Sequence, residues 1–274
     1  NRSAICAWDV VEHTMVALPL LTCCGNASAC TTEGTPHEIL DAFRTFGAFQ
    51  ISLPTDLSDQ MIEVFGLTAQ FLQLPEEQKQ RFALDDPTSC VPNGYHDAGG
   101  LGGFNRYRSG FIFQGHECWP LLDDPGFVAR LTSWRQGMWR MAEDIFTRLL
   151  TELDSLGCLV DHTSGLLAEG GALDMVTNSQ LHVKRTCAEM ESSPGHVQVL
   201  LPAHRDPSFL SIVVHACPDP PGQGLEILDD ETCTFSPVPR SGCGVATVFA
   251  GRLFGQLCDC DGFRAARGVH RVVS

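Results

Sequence analysis

Leu200-Leu201-Pro202-Ala203-His204-Arg205-Asp206-Pro207-Ser208-Phe209-Leu210-Ser211-Ile212-Val213-Val214-His215 is the stretch on which the reading of this chain turns, together with the distant His270. Apolar runs flank the His-x-Asp pair, Val197 to Leu201 before it and Phe209 to Val214 after it, and both read as buried strands with a bend between them. Residues two apart on a strand point to one face, so His204 and Asp206 can converge on one point. A buried aspartate is costly without a partner, and a divalent cation is an effective one. A third ligand from a distant strand would complete a triangle. Two imidazoles and one carboxylate on one face of a metal, with the opposite positions open, suit non-haem Fe(II) that activates oxygen. About one His-x-acid pair is expected by chance in a chain of this composition, so the flanking strands, not the pair, carry the reading.

Four segments carry a family resemblance: His204-Arg205-Asp206-Pro207-Ser208-Phe209-Leu210, Gly224-Leu225-Glu226-Ile227-Leu228, Pro237-Val238-Pro239 and Gly268-Val269-His270-Arg271-Val272-Val273. Together they resemble the metal-binding half of the 2-oxoglutarate-dependent, isopenicillin N synthase-like Fe(II) oxygenases. The likeness extends more weakly over nearly the whole chain. Phe46-Gly47-Ala48-Phe49-Gln50 is similar to the family's "GFFQ" turn, and Leu74-Pro75-Glu76-Glu77-Gln78-Lys79 to its "LPxEEK" segment. The resemblance implies an α+β fold, a distorted double-stranded β-helix (jelly roll) with an N-terminal helical region and a long backing helix. It implies iron held by His204, Asp206 and His270, with 2-oxoglutarate as co-substrate and O2 as oxidant.

Three departures from the family stand beside the likeness. Its Asn-Tyr-Tyr-Pro segment falls here on Lys184-Arg185-Thr186-Cys187, which makes Lys184 and Arg185 candidates for holding the co-substrate carboxylate, with strand-edge surface charge as the alternative. Its "NIGD" turn reads Phe249-Ala250-Gly251-Arg252. Its Arg-x-Ser pair lies about ten residues after the second histidine, and Arg271 and Ser274 stand too close to His270 to take that role.

The chain has 274 residues, enough to bury roughly three-quarters of its unfolded surface around one large core. We expect a single catalytic domain over 1–274. Within it, 1–160 is a mostly helical region with the first strands, and 172–274 is the jelly-roll, metal-binding half without the family's final strand and terminal helices. A formal charge of −15 argues against nucleic acid or an anionic membrane as partner and leaves a small molecule in a shielded pocket. The 13 cysteines are odd in number and contain no Cys-x-x-Cys, which suggests reduced thiols in a cytoplasmic protein.

Along the chain, Val16 to Leu21 reads as a first strand and Cys23 to Gly34 as loop. Thr35-Pro36-His37-Glu38 supplies a capping box with proline at the first helical position, and Gly47 can close that helix. Ala48 to Leu53 alternates as a strand, and Ser58 is placed to cap the next helix. Pro92 to Gly110 is rich in glycine and arginine and reads as a mobile active-site loop, whose Arg106, Tyr107 and Arg108 are candidates for gripping a substrate carboxylate. Pro125 to Leu156 gives the longest helical pattern, with Leu131, Trp134, Met138, Met141, Ile145 and Leu149 on one stripe. Three functions fit: an Fe(II) oxygenase using 2-oxoglutarate on a small-molecule substrate bearing a carboxylate, an isopenicillin N synthase-like oxidase closing a ring without it, and a non-catalytic metal-binding module.

Overall fold

The computed structural model describes residues 18–24, 31–84, 94–98, 106–114, 125–159, 179–186, 198–215, 224–238, 244–257 and 268–273. Strand β1 (Leu20–Cys24) pairs antiparallel with β2 (Thr31–Glu33). The first strand therefore lies further along than Val16 to Leu21, and part of the expected loop is strand; residues 16 and 17 lie outside the described residues. Helix α1 (Pro36–Phe46) begins as its sequence dictates. The Thr35 hydroxyl accepts from the Glu38 amide at 3.2 Å, while the Glu38 carboxylate accepts from the Thr35 amide at 2.7 Å. Gly47 ends the helix in the left-handed region at φ 70°, its amide donating to the Phe43 carbonyl.

Strand β3 (Ala48–Ser52) runs parallel to β1, and α2 (Thr55–Leu72) and α3 (Glu76–Lys79) follow. Helix α2 starts behind Pro54 rather than at Ser58, whose amide already donates to the Pro54 carbonyl one turn into the helix. Next come β4 (Gly94–His96) and β5 (Arg108–Gln114), then α4 (Pro125–Ser155), which buries Leu131, Trp134, Met141, Ile145 and Leu149 on the expected stripe. The α4 residue Asp144 accepts from the Thr32 amide at 2.8 Å and pairs with Arg148, whose guanidinium donates to the Gly34 carbonyl at 3.1 Å. Those bonds tie the β2 edge to the backing helix and occupy one amide and one carbonyl that would otherwise be open to pairing.

Six further strands follow: β6 (Gln180–Thr186), β7 (Val199–His204), β8 (Leu210–Val214), β9 (Gly224–Asp229), β10 (Thr234–Pro237) and β11 (Val245–Ala250). A short helix over Phe254–Leu257 leads toward β12 (His270–Val273). Among the described residues the strands form three sheets, ordered β2-β1-β3-β11-β8, β10-β9-β12-β7 and β4-β5-β6. The first sheet mixes strands from both ends of the chain. One large cluster joins α1, α2 and α4 to the inner faces of β3, β5 and β11 through Phe43, Phe71, Phe111, Ile145 and Val248.

Two expectations need correction. Within Pro92 to Gly110, residues 94–96 form a strand and Arg108 to Gly110 open another; residues 99–105 lie outside the described residues. Gly94 and Gly110 act here as spacers. A Cβ on Gly110 would sit 2.1 Å from the Val183 carbonyl oxygen, and one on Gly94 would sit 2.9 Å from that of Ala83. Cys23 and Cys158 are disulfide-bonded, so reduced thiols throughout are excluded; pairing depends on distance in space, which parity and spacing along the chain do not report. Among the described residues, no helix is long and apolar enough to cross a membrane.

Candidate metal centre

His204 ends β7 and His270 begins β12, and the two strands pair so that these histidines lie directly opposite one another. Asp206 follows in the turn between β7 and β8. The triangle is thus built from a ladder that sets two imidazoles side by side and a tight turn that folds a carboxylate back over them. His204 Nε2 lies 3.3 Å from Asp206 Oδ1, and His270 Nε2 lies 3.8 Å from Asp206 Oδ2. One ligand atom from each residue lies within 4.8 Å of the others. Metal bonds of about 2 Å at right angles place neighbouring donors about 3 Å apart, so a small inward movement brings this set to coordination distance.

The ring orientations suit a metal. His204 Nδ1 donates to the Pro202 carbonyl at 2.8 Å, and His270 Nδ1 donates to the Gly268 carbonyl at 3.0 Å. Each bond assigns a proton to Nδ1 and turns Nε2 toward Asp206. Phe249 stacks on the His270 ring at 4.3 Å and fixes its plane. Burial would raise the Asp206 pKa, but hydrogen bonding to His204, the His270 charge and the Ser211 hydroxyl bring it down to about 2. Ser211 is in turn hydrogen-bonded to Ser208 at 2.8 Å. Burial disfavours a charged His204, yet its bonds to Asp206 and Pro202 outweigh this and raise its pKa. For His270 burial prevails over the attraction of Asp206, and the pKa falls. The site presents an anionic carboxylate between one imidazole whose charged form is favoured and one whose charged form is disfavoured. Two nitrogens and one oxygen, held from one side, fit Fe(II).

The turn that carries Asp206 is clamped from behind. The amides of Gly251, Arg252 and Leu253 donate to the carbonyls of Phe209, Asp206 and Ser208, at 2.8, 2.7 and 3.1 Å. A Cβ on Gly251 would lie 1.9 Å from the Ser208 oxygen, so only glycine allows this approach. The clamp is built from the Phe249-Ala250-Gly251-Arg252 segment, in which the arginine contributes its backbone.

The other sequence candidates separate by face. Across β4-β5-β6, His96 lies opposite Gly110, which lies opposite Lys184; Ile112 lies opposite His182 and Arg108 opposite Thr186. Arg108, Lys184, His96 and His182 therefore share one face, while Tyr95, Phe111, Phe113 and Val183 bury the other in the core. The Asp206 carboxylate favours the charged form of Arg108, and Arg108 disfavours the charged forms of His204 and His270. Arg185 is exposed and alternates away from Lys184. Arg106 is exposed and its guanidinium lies 5.0 Å from the ring of its neighbour Tyr107. His96 and His182 carried no sequence signal beyond being histidines near strands; the alternation of β6 through His182 and Lys184 was the available clue. Gly251 stood in the sequence within the "NIGD"-like turn, but its need for glycine is seen only in its contact with Ser208.

No family model matches the chain, and no curated protein does. Solved structures do. The dioxygenase for auxin oxidation 1 of Arabidopsis thaliana, in binary complex with 2-oxoglutarate, aligns over 93% of this chain and 86% of its own at 18% identity and TM-score 0.61. A C-terminally truncated protein of Neurospora crassa in apo form, whose full-length form is also solved with alpha-KG, covers 87% of this chain and 81% of its own, at 18% identity and TM-score 0.61. A 2OG-Fe(II) oxygenase family protein of Caulobacter crescentus covers 87% of this chain and 75% of its own, at 16% identity and TM-score 0.60. The chain has the fold of the 2-oxoglutarate/Fe(II) oxygenases, with a His-Asp-His group of the type that holds a metal.

Two outcomes test this geometry. Gly251→Ala should cost about 3 kcal/mol or more in denaturant unfolding, because backbone must move, and should weaken Mn(II) binding at least tenfold; stability within about 0.5 kcal/mol of the parent would contradict the clamp. His96 is nearly inaccessible, and burial, then Lys184, lower its pKa from 6.5 to about 4. The unfolded chain then binds a proton that the folded one refuses, so stability falls as pH drops from 6.5 to 4, by at most roughly 3 kcal/mol from this group. Thermal melts of His96→Asn should show a correspondingly shallower loss over that interval, and parallel pH curves would exclude a neutral buried His96.

Proposed function

We propose that this protein is a non-haem Fe(II) oxygenase that uses O2 and 2-oxoglutarate to oxidise a small organic substrate. The observation that carries the reading is the convergence of His204 Nε2, Asp206 and His270 Nε2, with both Nδ1 atoms committed to backbone carbonyls. Structures of the Neurospora crassa protein with alpha-KG and of the auxin dioxygenase with 2-oxoglutarate share the fold, which supports the same cofactor and co-substrate here. We read the two larger sheets as the walls of a distorted jelly roll and residues 1–274 as one catalytic unit. In this reading β7 and β12 bring the ligands to the mouth between the walls. Small pyrimidine ligands in the Neurospora structures, thymine and 5-formyluracil, support a small-molecule substrate. The disulfide-bonded Cys23 and Cys158 fit an oxidising compartment better than the cytoplasm.

When bound, the metal with its co-substrate supplies the oxidising power, a chemistry no side chain of this chain possesses. The protein's own contribution is placement. His204, Asp206 and His270 would occupy one side of the ion and leave the other open to co-substrate and oxygen. Asp206 offsets one of the two positive charges. Ser208 and Ser211 hold its rotamer, and the Pro202 and Gly268 carbonyls keep each ring from turning its protonated nitrogen inward.

The test is anaerobic addition of 2-oxoglutarate to the Fe(II)-loaded protein followed by admission of air. A visible charge-transfer band, then succinate formed from 2-oxoglutarate, is the expected result, with Asp206→Ala lowering succinate formation at least 100-fold. Oxygen uptake that ignores 2-oxoglutarate would overturn this reading in favour of a ring-closing oxidase. Tight metal binding without oxygen uptake would overturn it in favour of a binding module.

A further inference from the structure

Strand β11 lies inside the five-stranded sheet between β3 and β8, while His270 belongs to the four-stranded one. Alternation divides the β11 side chains: Val248 packs in the large core cluster, and Phe249 packs with Ala48, Leu225, Ile227 and Val238 in a second one. Register places Phe249 directly opposite Ala48 on one side and Ser211 on the other, so the three share a face. From that row two side chains reach the triad. The Phe249 and His270 ring centroids are 4.3 Å apart with 29° between the planes, and the Ser211 hydroxyl hydrogen-bonds Asp206. We propose that Phe249 and Ser211 act as one positioning row, through which the five-stranded sheet sets His270 and Asp206 relative to each other. The proposal deepens the oxygenase reading and rests on it for the consequence in metal binding; the seating of the ring does not.

A single hydrogen bond fixes where an imidazole points and leaves the ring free to turn about that bond. The bond from His270 Nδ1 to the Gly268 carbonyl is of this kind, and a near-parallel ring against the imidazole face removes the remaining rotation. The Phe249 ring is itself fully buried, and Ile227 of its cluster stands directly opposite His270 across the ladder of β9 and β12. The next residue along confines the other end of the imidazole's hydrogen bond. A Cβ on Gly268, which has φ 80°, would lie 3.2 Å from the Ala250 carbonyl oxygen and 3.0 Å from that of Gly47. Three consecutive residues at the end of β11 therefore serve the site: Phe249 meets His270, Ala250 meets Gly268, and Gly251 meets the Asp206 turn. The His204 side chain is 18% exposed against 5% for His270, so the row seats the inner of the two imidazoles.

Nuclear magnetic resonance of the metal-free chain and Mn(II) binding followed by EPR test the row. The His270 ring protons, assigned by their loss in His270→Gln, should be shifted upfield by the Phe249 ring in the parent and move downfield in Phe249→Met. That variant should weaken Mn(II) by about tenfold or more, as loss of the support behind a ligand does. Phe249→Leu takes its place if the methionine variant alters the circular dichroism. Val248→Ala removes core from the other face of the same strand; it should lower stability and leave both Mn(II) affinity and the His270 shifts at parent values. Ser211→Ala should weaken Mn(II) on its own, and the double variant should lose clearly less than the product of the two single effects, because neighbours in one row are coupled. Unmoved His270 shifts in both Phe249 variants, parent-like Mn(II) affinity in either with native circular dichroism, an equal loss in Val248→Ala, or Phe249 and Ser211 effects that simply multiply would overturn the proposal. A parent that binds no Mn(II) while its His270 shifts respond as stated would instead sink the oxygenase reading and leave Phe249 as the seat of His270.

Discussion

Two hydrogen bonds from imidazole to backbone govern what this molecule can do. A histidine ring has two nitrogens and binds a metal only through the one without a proton. In His204 and His270 the proton is assigned by a carbonyl two residues earlier in each case, that of Pro202 and that of Gly268. Because each ring is held by its own strand end, the lone pairs keep their direction as long as β7 and β12 stay paired. The sheet is therefore the orienting device, and the backbone does for the rings what a surrounding carboxylate does in many metal sites.

The third donor needs a different solution, since Asp206 lies in a turn and turns move. Here the carbonyls of Asp206, Ser208 and Phe209 are fastened to amides of the segment after β11, and Ser211 supports the carboxylate from beyond the turn. This couples the site to the five-stranded sheet, in which β11 lies between β3 and β8, and through β3 to the helices packed behind it. Gathering an anion and two rings in a half-buried place costs desolvation, which an entering cation offsets; metal binding and folding should therefore support each other.

Much of this was legible in the residues. Thr35, Pro36 and Glu38 determine a helix start locally, and the α4 stripe repeats over many turns, so both could be read without tertiary information. His204 and Asp206 stood out because apolar strands surround a pair that burial alone would forbid. Other features are relations between distant parts. Gly94 and Gly110 read in sequence as part of a mobile glycine-rich loop, but their need for glycine comes from a neighbouring strand or carbonyl that only the folded chain supplies. Arg106, Tyr107 and Arg108 looked alike as candidates, but only Arg108 enters β5, where register sets its face. The disulfide-bonded state of Cys23 and Cys158 depends on spatial distance in the same way.

The central claim is that two imidazoles and one carboxylate meet on a single ion. X-ray absorption of the Fe(II)-loaded protein tests it most directly. The account predicts two imidazole nitrogens among oxygen and nitrogen donors at about 2 Å, one imidazole fewer in His270→Ala, and no sulfur. Fewer than two imidazoles in the parent, or a cysteine sulfur in the first coordination sphere, would contradict it.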